Sequence, residues 1–118
     1  MKISSEDGWA GDRFGKQVAL EGQFLIVGSE GSQEKQGAAY VYQYDQEKAQ
    51  WNVFDKLIAF DGLPNDLFGS SVAVHNKQVM VGAFQADGVD RGAGGMYLVK
   101  LQDKPELAAK EGEEMRRE

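Results

Sequence analysis

Cysteine is absent, which excludes disulfides, thiolate metal sites and thiol catalysis and fits any cellular compartment. Histidine occurs once, at His75 in a turn-like stretch, so no histidine-based metal cluster is possible and a Ser-His-Asp arrangement would rest on one tip residue. No apolar run approaches the ~18 residues of a membrane span. Threonine is missing altogether, an odd omission for a strand-forming chain. Clusters of Lys and Arg are also missing. Nine basic residues face thirteen acidic ones through Leu101, and the tail beyond adds four against six. A net-negative chain without a cationic stripe is a poor match for DNA, RNA or an anionic membrane surface.

What is present is a repeat. The phrase Asp-Gly-x-x-x-Asp-x-Phe-Gly-x-x-Val-Ala runs from Asp7 through Asp12, Phe14, Gly15, Val18 and Ala19. It runs again from Asp61 through Gly62, Asp66, Phe68, Gly69, Val72 and Ala73, always 54 residues on. Val27-Gly28 is answered in the same way by Val81-Gly82. A fixed period of about 50 residues is the signature of a propeller or array unit that cannot bury its own faces alone.

Each unit reads as an antiparallel meander. In the first, Phe14 to Leu20 is a strand, Glu21-Gly22 a tight turn and Gln23 to Gly28 a second strand. Phe68 to Val74, His75-Asn76 and Lys77 to Ala83 copy this in the second. Gly22 and Asn76 fall at matching positions, and both tolerate the positive φ of a tight hairpin. Polar loops follow, and then third strands at Ala38 to Tyr42 and Gly95 to Val99. Trp51 to Ile58 reads as a fourth strand of the first unit, reached through a turn from Asp45 to Gln50, and no such strand is predicted in the second. Large residues (Phe68, Val72, Val74) alternate with small ones (Gly69, Ser71, Ala73), while the second strands are apolar on both sides and require cover on both faces. A bulky face against a small face lets successive sheets nest as propeller blades do.

These residues resemble the FG-GAP repeat family, in the form common in bacterial multi-repeat proteins and distantly related to the β-propeller heads of integrin α subunits. The resemblance covers residues 5 to 101. It rests on Leu57-Ile58-Ala59, Asp61-Gly62, Asn65-Asp66, Phe68-Gly69, Ser71-Val72-Ala73, Val81-Gly82-Ala83 and Tyr97-Leu98, with Phe-Gly also at Phe14-Gly15. The Gly-Ala-Pro signature is altered to Gly82-Ala83-Phe84 and Gly28-Ser29-Glu30. The resemblance implies a non-catalytic binding or scaffolding domain, usually extracellular, cell-surface or periplasmic. No secretory signal follows Met1 and Lys2, so the chain is expected to be a piece of a longer protein or to differ from its relatives in location.

Some family members carry a calcium loop between the first two strands. Calcium takes six to eight oxygen ligands, and the connections here are only two residues long, so no metal is expected there. Asp87 and Asp90 form the weaker candidate, their alternative reading being a solvated loop. The pairs Asp7/Asp12 and Asp61/Asp66 raise the possibility of carboxylate-based hydrolysis. A catalytic pair need occur only once, however, and these recur, which favours a role in the fold. Gly92, Gly94 and Gly95 lack the Lys-Ser/Thr of a phosphate loop. Tyr40, Tyr42, Tyr44 and Trp51 are candidate sugar or protein contacts, with cross-strand packing the favoured reading for Tyr40 and Trp51.

Residues 102–118 change character. Asp103, Pro105 and Glu106 suit the start of a helix, but Leu107, Ala108 and Met115 offer too small an apolar face to dock it. The expected architecture is therefore all-β, just under two propeller blades: a four-stranded repeat over 1–59, a three-stranded one over 60–101, and a charged helical or disordered tail. No cofactor is implied. The expected partners are protein or carbohydrate ligands and, through the unpaired edge of the third strand at Gly95 to Val99, further copies of the chain. Phe14 and Phe68 are expected to be buried at equivalent sites.

Overall fold

A computed structural model describes residues 2–5, 7–8, 11–84, 94–101 and 116–117. The chain forms two four-stranded antiparallel sheets, each in sequential strand order. The first comprises β1 (Gln17–Glu21), β2 (Phe24–Ser29), β3 (Ala38–Asp45) and β4 (Gln50–Leu57), with a one-turn helix, α1 (Ser32–Lys35), between β2 and β3. The second comprises β5 (Phe68–His75), β6 (Gln78–Ala83), β7 (Gly95–Lys100) and β8 (Arg116–Arg117).

The meander is the all-β pattern expected, with three corrections. The first strand starts at Gln17 rather than Phe14, because the chain turns at residues 11–16, where Arg13 and Gly15 both hold positive φ. The hairpin loops lie one residue later than expected, at Gly22-Gln23 and Asn76-Lys77. Gly22 (φ 58°) and Asn76 (φ 49°) do supply the left-handed backbone. The second sheet also has a fourth strand that the sequence pattern did not reveal. Arg117 and Arg116 pair with Tyr97 and Leu98, so part of the β7 edge expected to be open is covered by residues of the tail. The helix start expected at Asp103 lies outside the described residues.

The register shows how closely the sheets copy one another. Val18 faces Val27 and Tyr40 across the first sheet, and Val72 faces Val81 and Tyr97 across the second. On the opposite face, Ala19, Ile26 and Val41 match Ala73, Met80 and Leu98. Because side chains alternate along a strand, each sheet has one face carrying the matched valine pair and the tyrosine, here the valine–tyrosine face, and a second face carrying Ala19, Ile26 and Val41 in the first sheet or Ala73, Met80 and Leu98 in the second.

The main core forms where the second face of the first sheet meets the valine–tyrosine face of the second. Phe24, Ile26, Ala39, Val41, Phe54 and Leu57 pack there against Phe68, Val79, Val81, Tyr97 and Val99. β5 lies against β1 and β2, with Val72 and Val74 turned into this core. Each fully buried Ile or Leu in such a layer contributes about 1.5–3 kcal/mol. The smaller cluster, on the valine–tyrosine face of the first sheet, gathers Val27, Ala38, Tyr40 and Tyr42 with Ile3, Phe14, Leu25 and Trp51.

Candidate functional site: the Phe-Gly corner

The repeated motif residues converge where the chain turns into the first strand of each sheet. In the second corner, Asp66 is buried and its Oδ2 accepts the Leu63 N–H at 2.9 Å, while its own N–H donates to the Leu63 carbonyl at 3.2 Å. This closed turn sets Asn65 and Leu67 at positive φ and aims Phe68 into the core. The Phe68 ring meets the Tyr97 ring edge-on at 5.2 Å and 73°. The Tyr97 hydroxyl donates to Asp61 Oδ1 at 2.6 Å. Asp61, Tyr97 and Phe68 thus form one chain of contacts that ties the start of the repeat to its third strand.

The first corner is built alike. Phe14 meets Tyr40 edge-on at 5.3 Å and 72°, and the Tyr40 hydroxyl donates to Asp7 Oδ1 at 2.6 Å. Its backbone matches residue by residue: Gly11 and Asn65, Arg13 and Leu67, and Gly15 and Gly69 all have positive φ. Asp12, like Asp66, is buried, and its carbonyl accepts the Gly31 N–H and the Ser29 hydroxyl. That hydroxyl lies 2.8 Å from the Ser32 hydroxyl, which fastens the start of α1 to the corner. Phe14 is therefore equivalent to Phe68, as expected, but only half-buried, because no sheet covers it as the first sheet covers Phe68.

Glycine is required where the corners meet neighbouring backbone. A Cβ on Gly69 would overlap the Ala38 carbonyl oxygen, and one on Gly28 would overlap the Gly69 carbonyl oxygen. The corner of the second repeat is thereby pressed into the first sheet. Backbone bonds from Leu67 N–H to the Lys35 carbonyl and from Phe68 N–H to the Gln36 carbonyl, both 2.9 Å, complete this seam. Gly62 N–H closes a turn onto the Ala59 carbonyl, Val72 is half-buried in the core, and Ala83 is buried opposite Phe68. At the far end of the seam, Glu21 accepts the Asn76 N–H at 2.6 Å and lies 3.0 Å from His75 Nδ1, joining the two hairpin turns.

The charged groups are engaged in this framework. The Lys56 ammonium at 2.6 Å, with the hydroxyls of Tyr40 and Ser5, holds the Asp7 carboxyl well below the usual carboxylate range. Burial pushes the Lys56 ammonium down, but its bonds to Asp7 and Tyr40 outweigh this and leave it raised. Burial pushes the Glu30 carboxyl up, yet hydrogen bonds from Lys16 at 3.0 Å and Arg13 at 3.1 Å reverse the balance and lower it. Asp55 is raised by burial.

The sequence-predicted pairs Asp7/Asp12 and Asp61/Asp66 are thus held by strand and turn partners. Among the described residues no group of three or more His, Asp or Glu could hold a metal. Asp87 and Asp90 lie outside the described residues. Tyr44 and Trp51 stack obliquely on each other at 5.1 Å, a cross-strand pair between β3 and β4. Sequence reasoning missed the Asp–Tyr–Phe linkage. Its signal was Tyr40 and Tyr97, which stand 57 rather than 54 residues apart and so fell out of phase with the repeat.

Two sheets of like register, each opening on the same corner and joined through the second of these, define a tandem β-sheet repeat protein. The FG-GAP repeat family matches residues 1–42 and 51–99, and the chain belongs to that family. Its units are structural, non-catalytic modules. A comparison with curated proteins found no match. The second match begins inside β4, so its span takes in strands of both sheets.

Proposed function

We propose that the chain is a segment of a β-propeller or closed ring, each sheet being one blade, which serves as a scaffold presenting loops to protein ligands. The observation that carries this reading is the same-sense stacking of the sheets. The second face of one sheet accepts the valine–tyrosine face of the next, so the operation can be repeated without change. The motif carboxylates hold the corners and tie them to the third strands in this arrangement, which accounts for their recurrence without a reaction. The reading extends to an extracellular, cell-surface or periplasmic setting, supported by the family resemblance alone.

Replacing the carboxylates tests the module against the hydrolase. Asp61→Asn and Asp66→Asn should lower the melting temperature, with no turnover of simple glycosides by either the parent or the variants. Sustained turnover by the parent that these substitutions abolish would sink the scaffold reading.

A further inference from the structure

The two outer faces of the molecule are the separated halves of the contact that already joins its sheets. On the first sheet the β1 side of the valine–tyrosine face is open to solvent, while Val27, Tyr40 and Tyr42 beside it are buried among Ile3, Phe14, Leu25 and Trp51. Val18 is 60% exposed and Leu20 64%, although their counterparts Val72 and Val74 pack into the core. The Phe-Gly corner on this face is already in its docked form, with Gly15 at φ 93° beside φ 96° for Gly69, and with the same ring geometry at Phe14–Tyr40. Around Gly15, however, nothing among the described residues lies within 4 Å of where a Cβ would stand, whereas the Ala38 carbonyl fills that place at Gly69.

The complementary half is the outer face of the second sheet. Ala73, Met80, Gly82, Met96 and Leu98 occupy the places that Ala19, Ile26, Gly28, Ala39 and Val41 hold in the core-facing side of the first sheet. Met80 is 40% exposed and Met96 44%. The nearest atoms that a Cβ on Gly82 would meet among the described residues are side-chain atoms of Ser71 and Ser70 from the adjacent strand, whereas at Gly28 the next corner is already seated. Among the described residues, one end of the molecule therefore presents a preformed corner without a seat, and the other presents a seat without a corner.

We propose that these faces bind each other between copies of this chain, head to tail, with the Phe14-Gly15 corner of one copy seated on Gly82, Met80 and Met96 of the next. The occupant is a second copy because the chain itself carries both halves, and the internal seam shows that such halves fit. The contact is heterologous, so it closes into a ring or extends as an array according to the rotation per copy. This deepens the module reading and rests on it, with the basis of association placed on the sheet faces rather than on the edge of β7.

Complementation tests it. At micromolar concentration the parent chain should show a concentration-dependent rise in mass by light scattering coupled to size exclusion. Leu20→Glu spoils only the corner face and Met80→Glu only the seat face, so each alone should remain monomeric with an unchanged circular dichroism spectrum. Mixed, they should form a dimer of twice the chain mass, since each retains one sound half. Val18→Glu and Met96→Glu provide a second pair should either first variant fail to fold. A monomeric parent, single variants that still associate, or a mixture that stays monomeric would each overturn the proposal. Glycoside turnover is read independently of mass, so a failure here leaves the non-catalytic reading standing.

Discussion

The two corners share sequence, backbone and ring geometry, yet one is enclosed and the other is open. At Phe68 the Asp–Tyr–Phe linkage is pressed between sheets. At Phe14 the same linkage lies on a surface and draws support from Lys56 and Ser5, through Asp7. Local sequence is therefore enough to shape the corner, and the neighbouring sheet adds burial rather than conformation. This separates what a repeat encodes by itself from what stacking contributes.

The largest expected effect tests that separation directly. Phe68→Ala should destabilise by about 3–5 kcal/mol, the range for emptying an enclosed aromatic site. Phe14→Ala should cost about 1 kcal/mol, since its ring is only partly withdrawn from water. Chemical denaturation of both variants measures the gap, and equal losses would remove the distinction between the corners.

The glycines sharpen the comparison. Gly15→Ala should cost about 1–2 kcal/mol from its backbone conformation alone. Gly69→Ala bears the same strain and must also displace the Ala38 carbonyl, for about 1–3 kcal/mol more. Should the proposed association occur, Gly15→Ala would weaken it as well, which a mass measurement would detect.

Hydroxyl removal should come next in size. Tyr97→Phe deletes a bond to a carboxylate from a buried ring and should cost about 1.5–3 kcal/mol. Tyr40→Phe should cost less than about 1.5 kcal/mol, because Lys56 and Ser5 still hold Asp7. A reversed order in thermal melts would show that the open corner relies more on its polar link than the enclosed one.

The smallest effect is pH-dependent. Asp7 and Glu30 are both lowered in the folded chain, so their stabilising contributions are complete above the ordinary carboxylate range and are lost as pH falls below it, towards the shifted values. Asp55, raised by burial, has the opposite sign: its contribution is present at low pH and is lost as pH rises through its folded value. Asp7→Asn should flatten the fall in melting temperature below the ordinary value of 3.8. An unchanged acid limb would show that the Lys56 contact does not persist in solution.

Much of this was legible beforehand, for identifiable reasons. The first strand of each sheet followed from period-two alternation and the second from a near-continuous apolar run, and both hairpins from Gly22 and Asn76, whose positive φ is a local requirement. The start of β1 was misplaced because Phe14 looks like a strand residue in sequence, although positive φ on either side makes it a corner. β8 was invisible because two arginines in a charged tail carry no apolar pattern, and pairing with Tyr97 and Leu98 is what makes them a strand. The Asp–Tyr bonds were hidden by the three extra residues between β6 and β7, which break the period between motif and third strand. The unequal burial of Phe14 and Phe68 could not be read from a repeat at all, since it depends on which unit has a neighbour.

The offset between sequence match and sheet has a bearing on how such a chain can lengthen. The second family match opens inside β4, whereas the sheet containing β4 closes only after it. A duplicated unit would therefore donate its opening strand to the sheet behind it before building its own. Every added unit would lock backward onto its predecessor, so growth by duplication produces a joined stack rather than beads on a string. A break placed between residues 42 and 51 would cost the first sheet its outer strand, while a break after Leu57 would leave that sheet whole.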